Sequence, residues 1–148
     1  SYHPATGAAP VPADTFAGLP VAEGIIQDII IKNNDPGDLW AEECLQGMKR
    51  KMLVDMVFDL AYSGRAQVYD FDTNEPLSLK NLKKKEREPG FSREKIGKIQ
   101  CIESWYLNPG KVTFTKKVSS FVIGYETYDS QGNFRGYLPV FRMVMNTR

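Results

Sequence analysis

Two cysteines and a single histidine leave little for metal or thiol chemistry in this 148-residue chain. A zinc site wants four ligands at recognisable spacing, and Cys44, Cys101 and His3 do not supply them. One disulfide is the most that two cysteines permit, so they define no framework. The sequence also has no Gly-rich phosphate loop, no nucleophile elbow and no His-Glu metalloprotease helix. No apolar run approaches the roughly 20 residues of a membrane-spanning helix, and no charged-then-apolar leader is visible. Basic and acidic residues number 19 and 18, a net charge of +1. No gross field therefore draws the chain to nucleic acid or membrane.

Charge is present but unevenly placed. Residues 1–47 carry one basic and seven acidic groups, net −6, whereas residues 78–98 carry eight basic and three acidic, net +5. The first 20 residues hold four of the nine prolines and five alanines with few bulky apolar groups. Such a segment buries too little to offset its ordering entropy, which predicts a flexible tail over 1–20 and one α+β domain over 21–148.

The last third is the best-defined stretch. Ile99 to Leu107, Lys111 to Tyr128 and Phe134 to Met145 are rich in Val, Ile, Thr, Phe and Tyr, which suit a pleated surface. Asn108-Pro109-Gly110-Lys111 predicts a type II turn, with Gly110 at the position needing positive φ. Asp129 to Asn133 predicts the second hairpin turn. The middle run is long for a strand, so a bulge or break is expected near Lys116-Lys117 or Gly124. Strand alternation groups Phe121, Ile123, Tyr125 and Thr127 on one side, and Tyr137, Phe141, Met143 and Met145 together on the last strand. Both faces of this meander carry apolar groups, so both want cover, from the chain's own helices or from another subunit.

Earlier elements are expected as follows. Val21 to Lys32, with isoleucines at 25, 26, 29 and 30, fits either a helix or a buried strand, and the spacing leans to helix. A single long helix is expected from an Asp38 N-cap to a Gly64 stop. Leu45, Met48, Met52, Leu53, Met56, Val57 and Leu60 form its apolar stripe, the methionines reading as ordinary core packing. Ala66 to Phe71 is a candidate fourth strand. Asp70 to Glu75 has the look of a calcium loop but lacks its Gly and its bidentate Glu, which favours a polar turn. Leu77 to Arg87 predicts a short basic helix, and Ser92 a further cap.

Three functional classes remain. A nucleic-acid module would use the basic 80–98 segment beside sheet aromatics Phe121, Tyr125, Tyr137 and Phe141, but Glu86, Glu88 and Glu94 dilute that cluster. A small carboxylate-dependent hydrolase would need acids brought together by the fold. The third class, a protein-binding or assembly module, best fits a two-faced apolar sheet. Its candidate contacts are Tyr125, Tyr128, Tyr137 and Phe141, since aromatic anchors dominate interfaces. Lys83, Lys84, Lys85 and Arg87 would steer an acidic partner.

The order of motifs adds a resemblance. A helix ending at Gly64 is followed by Ala66-Gln67-Val68-Tyr69-Asp70 and Pro76-Leu77-Ser78. Then come Glu103-Ser104-Trp105-Tyr106, Phe121-Val122-Ile123-Gly124 and Arg135-Gly136-Tyr137-Leu138-Pro139-Val140-Phe141. Over roughly residues 50–148 this resembles the GldN/PorN family, the periplasmic component of the Bacteroidetes gliding-motility and type IX secretion machinery. Arg142 departs from the aromatic expected in that family's terminal strand. The resemblance implies a non-enzymatic structural component, periplasmic and outer-membrane associated, exported by a signal peptide outside this sequence. It implies protein partners, namely an outer-membrane lipoprotein and a periplasmic motor arm, with homo-oligomers an open alternative. From the residues, no cofactor, no metal and no nucleic acid are expected. The fold expected is α+β: a small antiparallel sheet, mainly the C-terminal three-stranded meander, packed on one long helix and short helices.

Overall fold

A computed structural model describes residues 17–146. In chain order the elements are β1 (Leu19–Ile30), α1 (Leu39–Cys44), α2 (Arg50–Ser63), β2 (Gln67–Asp70), α3 (Leu79–Glu86), a 3-10 turn (Arg93–Lys95), β3 (Ile96–Asn108), β4 (Thr113–Tyr128) and β5 (Phe134–Val144). The fold is α+β, as the sequence indicates, but the sheet is larger than a meander. Five strands lie in the order β1-β3-β4-β5-β2, every pair antiparallel.

The strand at one edge corrects the helical reading of Val21 to Lys32. That segment is β1, paired along β3 from Leu19↔Leu107 to Ile30↔Lys98. Isoleucine spacing permits a helix, but β-branched side chains fit the pleat, and β3 supplies a partner that local sequence cannot reveal. Because β1 begins at Leu19, the domain starts inside the segment read as tail; residues 1–16 lie outside the described residues.

The long helix is in fact two. Asp38 caps α1 as expected, its side chain accepting from the Ala41 N–H at 3.0 Å. The helix stops at Cys44, and α2 begins at Arg50 after a segment containing Gly47, a residue with low helix propensity. Gly64 ends α2 in the left-handed conformation, φ 73°. The buried face of α2 is Val54, Val57, Phe58 and Ala61, at i, i+3, i+4 and i+7. Met52 and Met56 therefore point to solvent and do not pack in the core, contrary to the stripe read from sequence.

Helix α3 is capped by Ser78, which accepts from the Asn81 N–H at 3.1 Å, and it buries Leu82. Its last turn carries Lys83, Lys84 and Lys85, where the helix dipole favours cations. The polar-turn reading of Asp70 to Glu75 holds. Asp70 Oδ1 accepts from the Asp72 and Thr73 N–H groups at 2.9 and 3.1 Å, and these bonds outweigh desolvation to keep its carboxyl below the usual range. Ser92 caps the 3-10 turn through the Glu94 N–H.

An inserted residue upsets the expected parity of β5, and the β3–β4 turn differs in type from the one expected. In β5, Val122↔Arg142 is followed by Gly124↔Pro139, so one extra residue is inserted and both Val140 and Phe141 turn toward the core. Tyr137 thereby falls on the face opposite Phe141, not beside it. At the β3–β4 turn, Gly110 does not take the positive φ of a type II turn; Val112 does, at 54°. Asn108 Oδ1 holds this turn by accepting from the Lys111 N–H at 3.0 Å.

Helices α2 and α3 cover one face of the sheet. The core joins Val54, Val57, Phe58, Ala61 and Leu82 to Ile31, Val68, Ile96, Ile123, Val140, Phe141 and Met143. One side chain ties this layer together. Arg93 donates to both oxygens of Glu86 at 2.6 and 3.2 Å and to Asp55 at 3.1 Å. Its guanidinium lies 4.3 Å from the Phe58 ring centroid. Tyr62 adds a hydroxyl hydrogen bond to Glu86. Burial and that carboxylate push the Tyr62 hydroxyl up to about 12. Burial alone would raise Glu86, but the hydrogen bonds from Arg93 and Tyr62 win and hold it below its ordinary value.

A carboxyl depressed in the folded state stabilises above its unfolded pKa, about 4.3, and loses that contribution as pH falls through the folded value. Urea midpoints should therefore be flat from pH 7 to pH 5 and drop below about pH 4. Arg93→Ala should cost about 1–2 kcal/mol at pH 7, the knot being partly solvent-exposed. It should also flatten the acid drop; an unchanged acid limb in the variant would remove Glu86 as its source.

Candidate functional site

The sheet face opposite the helices is open. By strand parity it presents Ile26, Asp28 and Ile30 from β1, Lys98, Gln100 and Ile102 from β3, Val122 and Gly124 from β4, and Tyr137, Pro139 and Arg142 from β5. Its charges are already engaged. Asp28 is 3.2 Å from Lys98 Nζ and accepts from Gln100 Nε2 at 2.9 Å, hydrogen bonds that hold its carboxyl below the ordinary range. Arg142 lies 4.6 Å from the Tyr69 ring centroid and donates to Asn74 at 2.9 Å. A depression of about 160 Å³ runs between Phe71, Lys98, Val122, Tyr137 and Pro139.

At one end of this face sits a buried carboxylate. Glu126, across from Tyr137, is about 1% exposed. Lys32 Nζ reaches it at 2.8 Å, and the Tyr128 hydroxyl donates to it at 3.1 Å. Desolvation and this carboxylate push both the Tyr128 and Tyr137 hydroxyls up. Gly97 makes the room: a Cβ there would lie 3.1 Å from both Glu126 Cγ and Tyr137 Cε1.

Among the described residues, the opposite end of the sheet has no helix on either face. The core reaches Ile29 on β1 and Ile31 just after it, Ile96 and Ile99 on β3, and Phe121 on β4. Beyond it, Leu19 to Ile25, Glu103 to Asn108 and Thr113 to Val118 continue as a three-stranded arm. Leu19, Val21, Leu107, Val112 and Phe114 are exposed along it. Trp105 and Phe114 pack together at 5.8 Å, with Lys116 4.7 Å from the indole centroid. Glu103, a second buried carboxylate, accepts from Trp105 Nε1 at 3.0 Å. The Gln27 amide, with its nitrogen toward the carboxylate, donates to both oxygens at 3.0 and 2.8 Å. Burial and the Glu103 charge push the Cys101 thiol up. Both cysteines are free, Cys44 exposed and Cys101 buried.

The residues singled out from sequence scatter over these surfaces. Phe141 is fully buried and packs edge-on to Phe58 at 5.5 Å, so it holds the core and offers no contact. Tyr125 lies on the helix side, stacked on Phe91 at 5.3 Å, with its hydroxyl donating to the Gly90 carbonyl. Tyr128 and Tyr137 come together on the open face around Glu126. Lys83, Lys84 and Arg87 are exposed on α3, while Lys85 is half-buried with Nζ 3.5 Å from Asp70. A row of base-stacking aromatics is not formed, because Phe121, Tyr125 and Phe141 face the helices and Tyr137 alone of the four faces away. The acids do not converge either: Glu103 and Glu126 lie on opposite faces, at opposite ends of the helix-covered region. Sequence reading passed over Trp105, Ile26 and the exposed pair Leu39 and Trp40. A tryptophan within an acidic segment was the available signal for the last.

No protein-family model matches the chain, and no curated protein matches it.

Removing Lys32 strands a buried carboxylate, so Lys32→Met should cost roughly 2–4 kcal/mol. Adding Glu126→Gln should recover most of that loss. Chemical denaturation of the two variants checks this, and an additive double variant would show that the pair is uncoupled.

Proposed function

We propose that this chain is an assembly subunit that works by protein–protein contact and carries out no chemistry of its own. In line with its resemblance to the GldN/PorN family, we place it in a bacterial envelope secretion or gliding-motility complex, periplasmic and held to an outer-membrane lipoprotein. The observation that carries the reading is the three-stranded arm. A short ribbon with both faces wet is marginal by itself, and contiguous exposed apolar surface marks an interaction site. Trp105, Leu107 and Phe114 give the arm aromatic and aliphatic anchors of the kind that dominate interfaces. On the other side of the sheet, Ile26 on the open face adds a second exposed apolar position nearer the core.

The test is affinity capture from envelope extract with mass measurement of the co-purifying lipoprotein. Leu107→Thr with Phe114→Thr, which keep strand propensity and remove the anchors, should abolish capture at a stability cost of about 1 kcal/mol, the loss of the packing of Phe114 on Trp105. Undiminished capture by this variant would remove the arm from the interface. Charge reversal at Lys83, Lys84 and Arg87 should instead slow association and blunt its salt dependence.

A further inference from the structure

Helix α1 is the least covered element among the described residues. Leu39 is 77% exposed and Trp40 72%, and no residue of the helix is buried. It is nonetheless well fixed. Asp38 caps it, and Asn33 Nδ2 donates both to the Asp38 carbonyl and to Glu42, each at 3.1 Å. A tryptophan held out on an ordered projection is an anchor without a socket. Around it residues 33–47 carry Asp35, Asp38, Glu42 and Glu43 and no basic residue, net −4.

A socket of the opposite character lies elsewhere on the same molecule. Between the end of α3 and the β4–β5 hairpin is a cleft of about 200 Å³. Phe91 and Tyr125, stacked face to face, together with Val140, line it with apolar surface. Leu138, 60% exposed, forms its lip, and Lys85 and Glu88 stand at the α3 side. Residues 80–87 of that helix carry five basic groups and one acid, net +4. That acid, Glu86, is already taken by Arg93, and of the bases Lys85 pairs with Asp70, so the field comes from Lys80, Lys83, Lys84 and Arg87. Glu88 is the one acidic residue lining the cleft.

We propose that α1 of one copy docks, Trp40 and Leu39 foremost, into the α3–hairpin cleft of a second copy. Among the described residues of one chain both features stand open, and each supplies what the other lacks: an indole for an apolar cleft, and four acids for a basic helix. Charge complementarity selects this pairing over α1 against α1 or cleft against cleft, where like charges would meet. The contact is heterologous, because the two surfaces differ, and a pair of copies still has one anchor and one cleft unused. The inference rests on the assembly reading and names one of its partners as the chain itself.

Sedimentation velocity of the purified full chain over a concentration series tests it. The mean sedimentation coefficient should rise with concentration past that of a dimer, and the rise should weaken in high salt. Trp40→Ala and Leu138→Glu, both at exposed positions, should leave thermal unfolding unchanged. Each should weaken self-association about tenfold or more. An equimolar mixture of the two should recover dimers and nothing larger, since only one intact anchor and one intact cleft remain. A chain that stays monomeric throughout, or that associates equally well in both variants, overturns the proposal. So does a mixture that does not recover. Should the chain stay monomeric while arm variants still lose the lipoprotein, the self-contact falls and the assembly reading stands.

Discussion

Helix and strand advance at different rates, and the architecture follows from that mismatch. The 14 residues of α2 span about 21 Å at about 1.5 Å per residue. The 16 residues of β4 span about 54 Å at about 3.4 Å per residue. One helix of this length, aided by the shorter α3, shelters the middle of one sheet face and no more. Among the described residues, no helix covers the opposite face or the far ends of β1, β3 and β4. A chain of this size could have shortened its strands to fit the helices. Instead it keeps long strands with valine, isoleucine and aromatics running to their tips.

Within the sheltered part, polar groups are used as fasteners. Arg93 gathers Glu86, Asp55 and the face of Phe58, joining α2, α3 and the start of β3 at one point. Lys32 and Glu126 join the end of β1 to the β4–β5 hairpin across the open face. Partnered in this way, a buried charge fixes position, and losing one partner costs more than the pair contributes. The arm has a fastener of another kind, since Glu103 is held by the neutral donors Trp105 and Gln27. That bond keeps the indole oriented on a surface where no helix packs against it.

Much of this was legible in the sequence wherever the cause is local. Asp38, Ser92, Gly64 and the Asp70 turn behave as their side chains or their freedom at positive φ require. The hairpins are where the turn residues put them. What could not be read depends on partners distant in sequence or on a single inserted residue. The strand identity of Leu19–Ile30 is conferred by β3, whose partner positions run from Leu107 to Lys98, far along the chain. The extra residue at Val140–Phe141 reverses parity along half of β5, which is why Tyr137 and Phe141, grouped by alternation, lie on opposite faces. Likewise the excess of apolar surface could be counted from composition. Its division into a covered half-face, an open face and an arm is set by tertiary packing, which no local pattern encodes.

The central claim is that the helix layer protects only the middle of the sheet. Native-state hydrogen exchange on the isolated chain measures this most directly, strand by strand. Amides of 121–125 and 141–143 should open only with global unfolding, whereas those of 104–107 and 114–117 should open at a much lower free energy. Equal protection of arm and core in the lone chain would contradict the account, for it would mean that the sheet needs no further cover.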